Sequence, residues 1–227
     1  MLSPPTAIQA SPPVEFTPLI RRLEKLLHFY VGGYHHLDIL SPCRLPPSGP
    51  AIVICNHISS LDPVLIQAAC PRLITWMMAR EYYEIAGLRW LFDLVGAIPV
   101  DRNGRDLHST RAAFRALRAG RVLGIFPEGY IGVKEVHPFQ TGAALLAMRS
   151  GVKIFPAWVE GSTRGTEMVE AYFLPQRVGI AFGSPMDLGK CDPSRQALDS
   201  AALKMRETVM ALQAAYFASP AHAENPE

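Results

Sequence analysis

Ala51-Ile52-Val53-Ile54-Cys55-Asn56-His57-Ile58-Ser59-Ser60-Leu61-Asp62-Pro63 is the stretch whose reading decides the fold. Its first five residues are all apolar, which suits a strand buried on both faces, as in a parallel sheet covered by helices. Pro63-Val64-Leu65-Ile66 then opens a helix, with proline where no N–H is needed. The strand delivers His57 to its tip, and the turn brings Asp62 back five residues later. A carboxylate beside a histidine fixes the tautomer and steadies the imidazolium, as a general base acting on a hydroxyl requires. Ser59, Ser60 and Asp62 also suit a plain helix cap. This segment alone leaves both readings open.

Outward from it, strands and helices alternate. Apolar runs at 73–78, 97–100, 122–126, 152–160 and 177–182 read as strands. Periodic segments at 62–69, 84–95, 106–119, 141–150 and 193–217 read as helices. The expectation is an α/β fold: a single domain with a largely parallel or mixed central sheet flanked by helices, plus an N-terminal amphipathic helix at 16–35. The 227 residues suit one sizeable core. The expected divisions are a disordered tail at 1–15, the amphipathic segment at 16–40, the main domain at 41–218 and a disordered tail at 219–227.

Ligands of such sheets bind beyond the carboxyl ends of the strands. Val122–Phe126 ends in Pro127-Glu128-Gly129, so Glu128 is a candidate for the crevice that holds His57. The run from Gly96 to Val100 ends in Asp101-Arg102. A guanidinium there suits an anionic substrate group, because it grips phosphate in a bidentate way. The plainer alternatives are a turn residue for Glu128 and a solvated pair with Asp101 for Arg102.

Together these segments resemble the four-block pattern of the glycerolipid acyltransferase superfamily, and within it the 1-acylglycerol-3-phosphate acyltransferases. The blocks are His57-x4-Asp62, Gly96 to Arg102, Phe126-Pro127-Glu128-Gly129 and Val152-Lys153-Ile154-Phe155-Pro156. The resemblance spans roughly residues 50 to 186, within the main domain. It implies that His57 is the base and Asp62 its orienting partner. It implies that Arg102 holds the acceptor phosphate, that Glu128 and Gly129 shape the acceptor site, and that Pro156 lies on the acyl-donor side. It further implies transfer of a fatty acyl chain from a thioester of coenzyme A or acyl carrier protein to a lysophospholipid hydroxyl. No cofactor and no metal are expected, because a thioester has a good leaving group. Backbone N–H groups around Ser59 and Ser60 are candidates for stabilising the oxyanion. Two positions depart from the family pattern. Tyr130-Ile131 stand where Thr-Arg is usual, and Gln140 stands where Lys is frequent. Both remove positive charge from the acceptor side, for which Lys134 or Arg105 are possible substitutes. The acceptor alternatives are another lysolipid or an amide-linked lipid with a free hydroxyl. Water as acceptor would give a thioesterase, and loss of catalysis a lipid-binding module.

Composition points to a lipid surface as partner. The chain is 49% hydrophobic and its mean hydropathy is +0.12, yet no apolar stretch approaches the ~18–20 residues that spanning requires. The proline-rich start, Met1-Leu2-Ser3-Pro4-Pro5, has no signal-peptide pattern. Phe16, Leu19, Ile20, Leu23, Leu26, Leu27, Tyr30, Val31 and Tyr34 repeat at helical steps, with Arg21, Arg22, Lys25 and His28 between them. Such a helix can lie in a membrane interface or pack on the domain's own core. A peripheral or monotopic position on the cytoplasmic face of a membrane is expected. Net charge of +2 and the lack of an aromatic-basic platform argue against nucleic acid. Cys43, Cys55, Cys70 and Cys191 show no metal-ligand or disulfide spacing and read as reduced packing residues.

Overall fold

The computed structural model describes residues 18–102, 106–132, 136–162 and 170–218. The expected tails at 1–15 and 219–227, the residue Phe16, and the charged residues Arg105 and Lys134 lie outside them.

The chain runs α1 (Pro18–Tyr34), β1 (Leu37–Ser41), β2 (Ala51–Cys55), α2 (Asp62–Ala69), β3 (Ile74–Ala79), α3 (Arg80–Tyr83), α4 (Arg89–Val95) and β4 (Ile98–Val100). It continues with α5 (Leu107–Arg118), β5 (Val122–Ile125), α6 (Gly142–Ser150), β6 (Ile154–Glu160), α7 (Glu170–Phe173), β7 (Val178–Phe182) and α8 (Arg195–Phe217). The α/β expectation holds. The seven strands form one sheet in the order β1-β7-β6-β2-β5-β3-β4. The five strands from β6 to β4 are mutually parallel, and β7 turns back antiparallel to β6, with β1 parallel to β7.

Alternation along β2 shows why its run is apolar throughout. Ile52 and Ile54 pack with α5, α6 and α8 on one face. Ala51, Val53 and Cys55 pack with Val31 of α1 and with Leu65 and Ile66 of α2 on the other. Both faces are covered, so neither set of alternating side chains is polar.

Two elements differ from the sequence reading. The expected helix at 84–95 starts only at Arg89, as α4; the short helix α3 ends at Tyr83, before the expected start, and 84–88 are turn. Gly87 takes φ +84° there, a left-handed conformation that glycine adopts without penalty. Leu37–Ser41, which straddles the expected division between 16–40 and 41–218 and is not among the expected strands, is an edge strand. Its pattern is mixed because an edge strand is half exposed, and Asp38 and Ile39 are exposed. The amphipathic helix also divides its apolar residues. Ile20 and Val31 are buried, while Leu19, Leu26 and Phe29 face solvent, Phe29 at 81% exposure.

The site begins where β2 and β5 end side by side. Val53 pairs with Gly124, and Gly124 pairs with Trp76 on its other side. A Cβ at Gly124 would lie 2.4 Å from Trp76 Cε3 and 2.6 Å from Ile74 Cγ2. Only glycine lets the indole lie flat there, and Trp76 in turn stacks on Phe126. Gly124→Ala is expected to lower the unfolding free energy by about 1–3 kcal/mol, the usual cost of overpacking a core. Urea denaturation measures it, and an unchanged midpoint would contradict this packing.

Candidate active site

β2 ends at Cys55, and Asn56 takes over its pairing. The buried Asn56 amide donates to the Val159 carbonyl at 2.9 Å, and its Oδ1 accepts the Val159 N–H at 2.9 Å. A side chain thus continues the β2–β6 ladder while the main chain peels away into a turn. Within that turn the Asp62 N–H donates to the Ser59 carbonyl, and the Leu61 N–H to the Ser59 hydroxyl.

The turn closes on the Asp62 carboxylate, which is fully buried. Oδ2 accepts from Ile58 N–H and Ser59 N–H, each at 2.8 Å, and from His57 Nδ1 at 2.9 Å. Oδ1 accepts from the Ser162 hydroxyl at 2.6 Å. Four donors meet the roughly four acceptor sites of a carboxylate, so its charge is satisfied without water. Asp62 is the first residue of α2 but not its cap: its bonds run back to Ile58, Ser59 and His57, and Leu61, the residue before the helix, makes no side-chain cap bond. Because an ionised carboxylate only accepts, His57 carries its proton on Nδ1. In the neutral imidazole with that tautomer, Nε2 keeps the lone pair.

The imidazole is held on its faces as well. His57 stacks on Phe126 with centroids 4.0 Å apart, and Phe126 stacks on Trp76 at 4.9 Å. The His57 side chain remains 16% exposed. A ring fixed in plane and tautomer, with one basic nitrogen free, can take a proton from a bound hydroxyl.

Glu128 is brought to the same turn from the end of β5 and is 1% exposed. Its Oε1 accepts the His57 N–H and its Oε2 the His137 N–H, both at 2.8 Å. Gly132 N–H donates back to the His57 carbonyl at 2.7 Å, so the two turns are laced together. Gly129 adopts φ +80°, and a Cβ there would lie 2.2 Å from Gln140 Nε2. That amide donates to the Glu128 carbonyl. Gln140 therefore supports the turn.

Arg102 extends from the end of β4 and reaches the same turn, 3.5 Å from the Gly129 carbonyl. Its ion pair is with Glu81 of α3, not Asp101. The Glu81 backbone amide first, and then Arg102, lower the pKa of the Glu81 carboxyl. Pro156 is not brought to this edge. It is buried within β6 opposite Ile54, with its ring against Gly183. Its carbonyl accepts from Gly183 N–H, so its missing N–H faces the point where the β7 ladder has ended, which a sheet tolerates.

Sequence reading missed Asn56, Ser162 and Glu81. Ser162 lies 100 residues from Asp62 in a segment without a motif, and only the β2–β6 adjacency makes it a neighbour. The Ser59 amide, expected among the oxyanion donors, is committed to Asp62. Among the described residues no three His, Cys, Asp or Glu side chains group as metal ligands.

The chain belongs to the Acyltransferase family, whose model matches residues 37–160, more than half of the chain. The match begins at β1, includes His57, Asp62, Arg102, Glu128, Gly129 and Pro156, and stops short of Ser162. The chain is 24% identical over 144 residues to a 1-acyl-sn-glycerol-3-phosphate acyltransferase of Bacillus subtilis, covering 63% of this chain and 70% of that one. It is 30% identical over 131 residues to the protein of the same description from Helicobacter pylori, covering 55% of each. The chain thus spans about half the length of the Helicobacter relative. Among solved structures it is similar to the 1-acyl-sn-glycerophosphate acyltransferase PlsC of Thermotoga maritima. The TM-score is 0.69 at 19% identity, covering 87% of this chain and 80% of that one, a likeness of fold.

Burial raises the Glu128 pKa, against the opposing pull of the His137 and His57 amides. A raised carboxyl pKa contributes stability that is complete below the ordinary carboxylate value and is lost as pH rises through the raised one. Glu128→Gln cannot ionise. Its stability should therefore fall less than the parent's as pH rises above the ordinary carboxylate range. Urea midpoints at a series of pH values measure this, and parallel curves would count against a raised pKa.

Proposed function

We propose that the chain transfers a fatty acyl group from an acyl thioester, carried by coenzyme A or acyl carrier protein, to the hydroxyl of a lysophospholipid. 1-Acylglycerol-3-phosphate, which would become phosphatidate, is the first acceptor to test. The observation that carries this reading is the 2.9 Å bond from His57 Nδ1 to the buried Asp62 carboxylate, at the carboxyl edge of the parallel strands. His57 Nε2 takes the hydroxyl proton as that oxygen attacks the thioester carbonyl. A new C–O bond forms, and the tetrahedral intermediate collapses by breaking C–S. The departing sulfur recovers the proton from the imidazolium, which Asp62 stabilises meanwhile. No covalent enzyme intermediate is needed.

Arg102 and Gly129 border the acceptor side of this reading. The Arg102–Glu81 pair is exposed at both partners, and exposed pairs are worth little, so an acceptor phosphate can displace Glu81. Tyr130 and Ile131 are both exposed beside Gly129. Neither supplies a second cation, and Gln140 is occupied by the Glu128 carbonyl. These three residues favour a second reading of the acceptor, a lysolipid or amide-linked lipid hydroxyl without a phosphomonoester.

A lipid surface is the proposed site of action. No helix among the described residues is long and apolar enough to cross a membrane. The exposed row Leu19, Leu26 and Phe29 runs along α1, with Arg21, Arg22 and Lys25 also exposed. Apolar side chains entering the headgroup region beside cations suit an anionic membrane.

Purified protein with palmitoyl or oleoyl thioesters and a panel of lysolipids, with and without a phosphomonoester, tests the reaction by thiol release and product mass. An ester product is expected, and His57→Ala should lose at least ~100-fold in rate. Free fatty acid alone would indicate a hydrolase, and silence across the panel would favour a lipid-binding module. In flotation with anionic vesicles, Phe29→Ser should bind several-fold more weakly than the parent. Equal binding would remove α1 as the contact.

A further inference from the structure

The turn that holds Asp62 has a support that neither the dyad nor the motif includes. The Tyr172 hydroxyl, from α7, donates to the Ser60 carbonyl at 2.9 Å across 112 residues of sequence. That carbonyl belongs to the peptide plane between Ser60 and Leu61. The other edge of the plane is the Leu61 N–H, which donates to the Ser59 hydroxyl. The plane sits inside the loop that Asp62 closes by accepting from Ile58 and Ser59. Held at both edges, it cannot rotate without disturbing the carboxylate that orients His57.

The same tyrosine is tied to the N-terminal helix. Its own carbonyl accepts from the Tyr30 hydroxyl at 2.5 Å, and the next carbonyl, of Phe173, accepts from the Tyr34 hydroxyl. His35 packs edge-on against both tyrosine rings and is itself buried. One face of α1 therefore grips α7, while its exposed row bears Leu26 and Phe29.

We propose that Tyr172 is a positioning residue for the His57–Asp62 pair, linking the turn that carries the pair to the seating of helix α1. Tyr172 remains a donor throughout the working pH range, because burial, with Tyr30 and Asp62 nearby, pushes its pKa up to about 12. The link to catalysis rests on the acyl-transfer reading, and the effect of a membrane on the link rests on α1 meeting lipid. The geometry of the turn depends on neither. When α1 settles on a lipid surface, Tyr30 and Tyr34 hold α7 in place, and α7 holds the turn.

Tyr172→Phe removes the hydroxyl and keeps the ring. The expected result is a roughly tenfold fall in kcat, about the worth of one well-placed hydrogen bond, with KM for donor and acceptor unchanged. The His57 imidazole titration, followed by nitrogen-15 NMR, should move as well. Tyr30→Phe should shift both in the same direction by less, and the double variant should be no worse than Tyr172→Phe alone, since both act through one chain of contacts. A purely structural role would lower thermal stability and leave the kcat-to-KM split and the His57 titration of the folded protein untouched. That outcome, or an unchanged kcat and titration in Tyr172→Phe, overturns the proposal. If the parent transfers no acyl group to any acceptor, the proposed function fails separately. The His57 titration then decides on the positioning role alone.

Discussion

A charged carboxylate with no access to water costs several kcal/mol unless its charge is met by partners in good geometry. Asp62 is in that position, and the local structure follows from meeting its four acceptor demands. Two donors are amides of the turn it terminates, so the turn must curl. The third is His57, so the imidazole must stand in one tautomer. The fourth is Ser162, so the chain leaving β6 must pass beside β2. The Asn56–Val159 clamp serves that last demand, because it keeps the ends of β2 and β6 level where the ladder would otherwise fray.

The second buried carboxylate at this edge is held differently. Among the described residues the Glu128 carboxylate accepts two backbone amides and bonds no cation, and burial, the largest influence on it, raises its pKa. Its contribution is geometric. It fastens the first residue of the His57 turn to the turn after β5, and Gly132 returns the bond. With the Phe126 ring against the imidazole, three neighbouring strands fix one histidine: β2 carries it, β5 braces its face and backbone, and β3 braces Phe126 through Trp76. Gly124 is the position where this stack meets the sheet.

Much of this was legible from the chain. An all-apolar strand, a polar tip and a proline-started helix at 51–66 can be read directly, because burial on both faces leaves a contiguous run and the helix start carries a proline in its first turn. The pairing of His57 with Asp62 was legible for the same reason, being local. Edge strand β1 was not, since a half-exposed strand of five residues carries little periodicity. The helix at 84–95 was read as continuous because Gly87 alone does not say which side of its φ map it occupies. Pro156 stood in a motif-like run, yet it faces a strand end inside the sheet, which only the ladder register reveals.

The sequence by itself determined the alternation of strands and helices, the closeness of His57 and Asp62 and the amphipathic character of α1, because each depends on residues within a few positions of one another. Tertiary structure alone decided which apolar residues of α1 stay exposed, that Arg102 reaches Glu81 and Gly129, that Glu128 bonds the His57 amide, and that Ser162 and Tyr172 converge on the same turn. Those contacts span 21 to 112 residues of chain. The strand order and the crossing of helices set them, and no short-range pattern of side chains encodes that order.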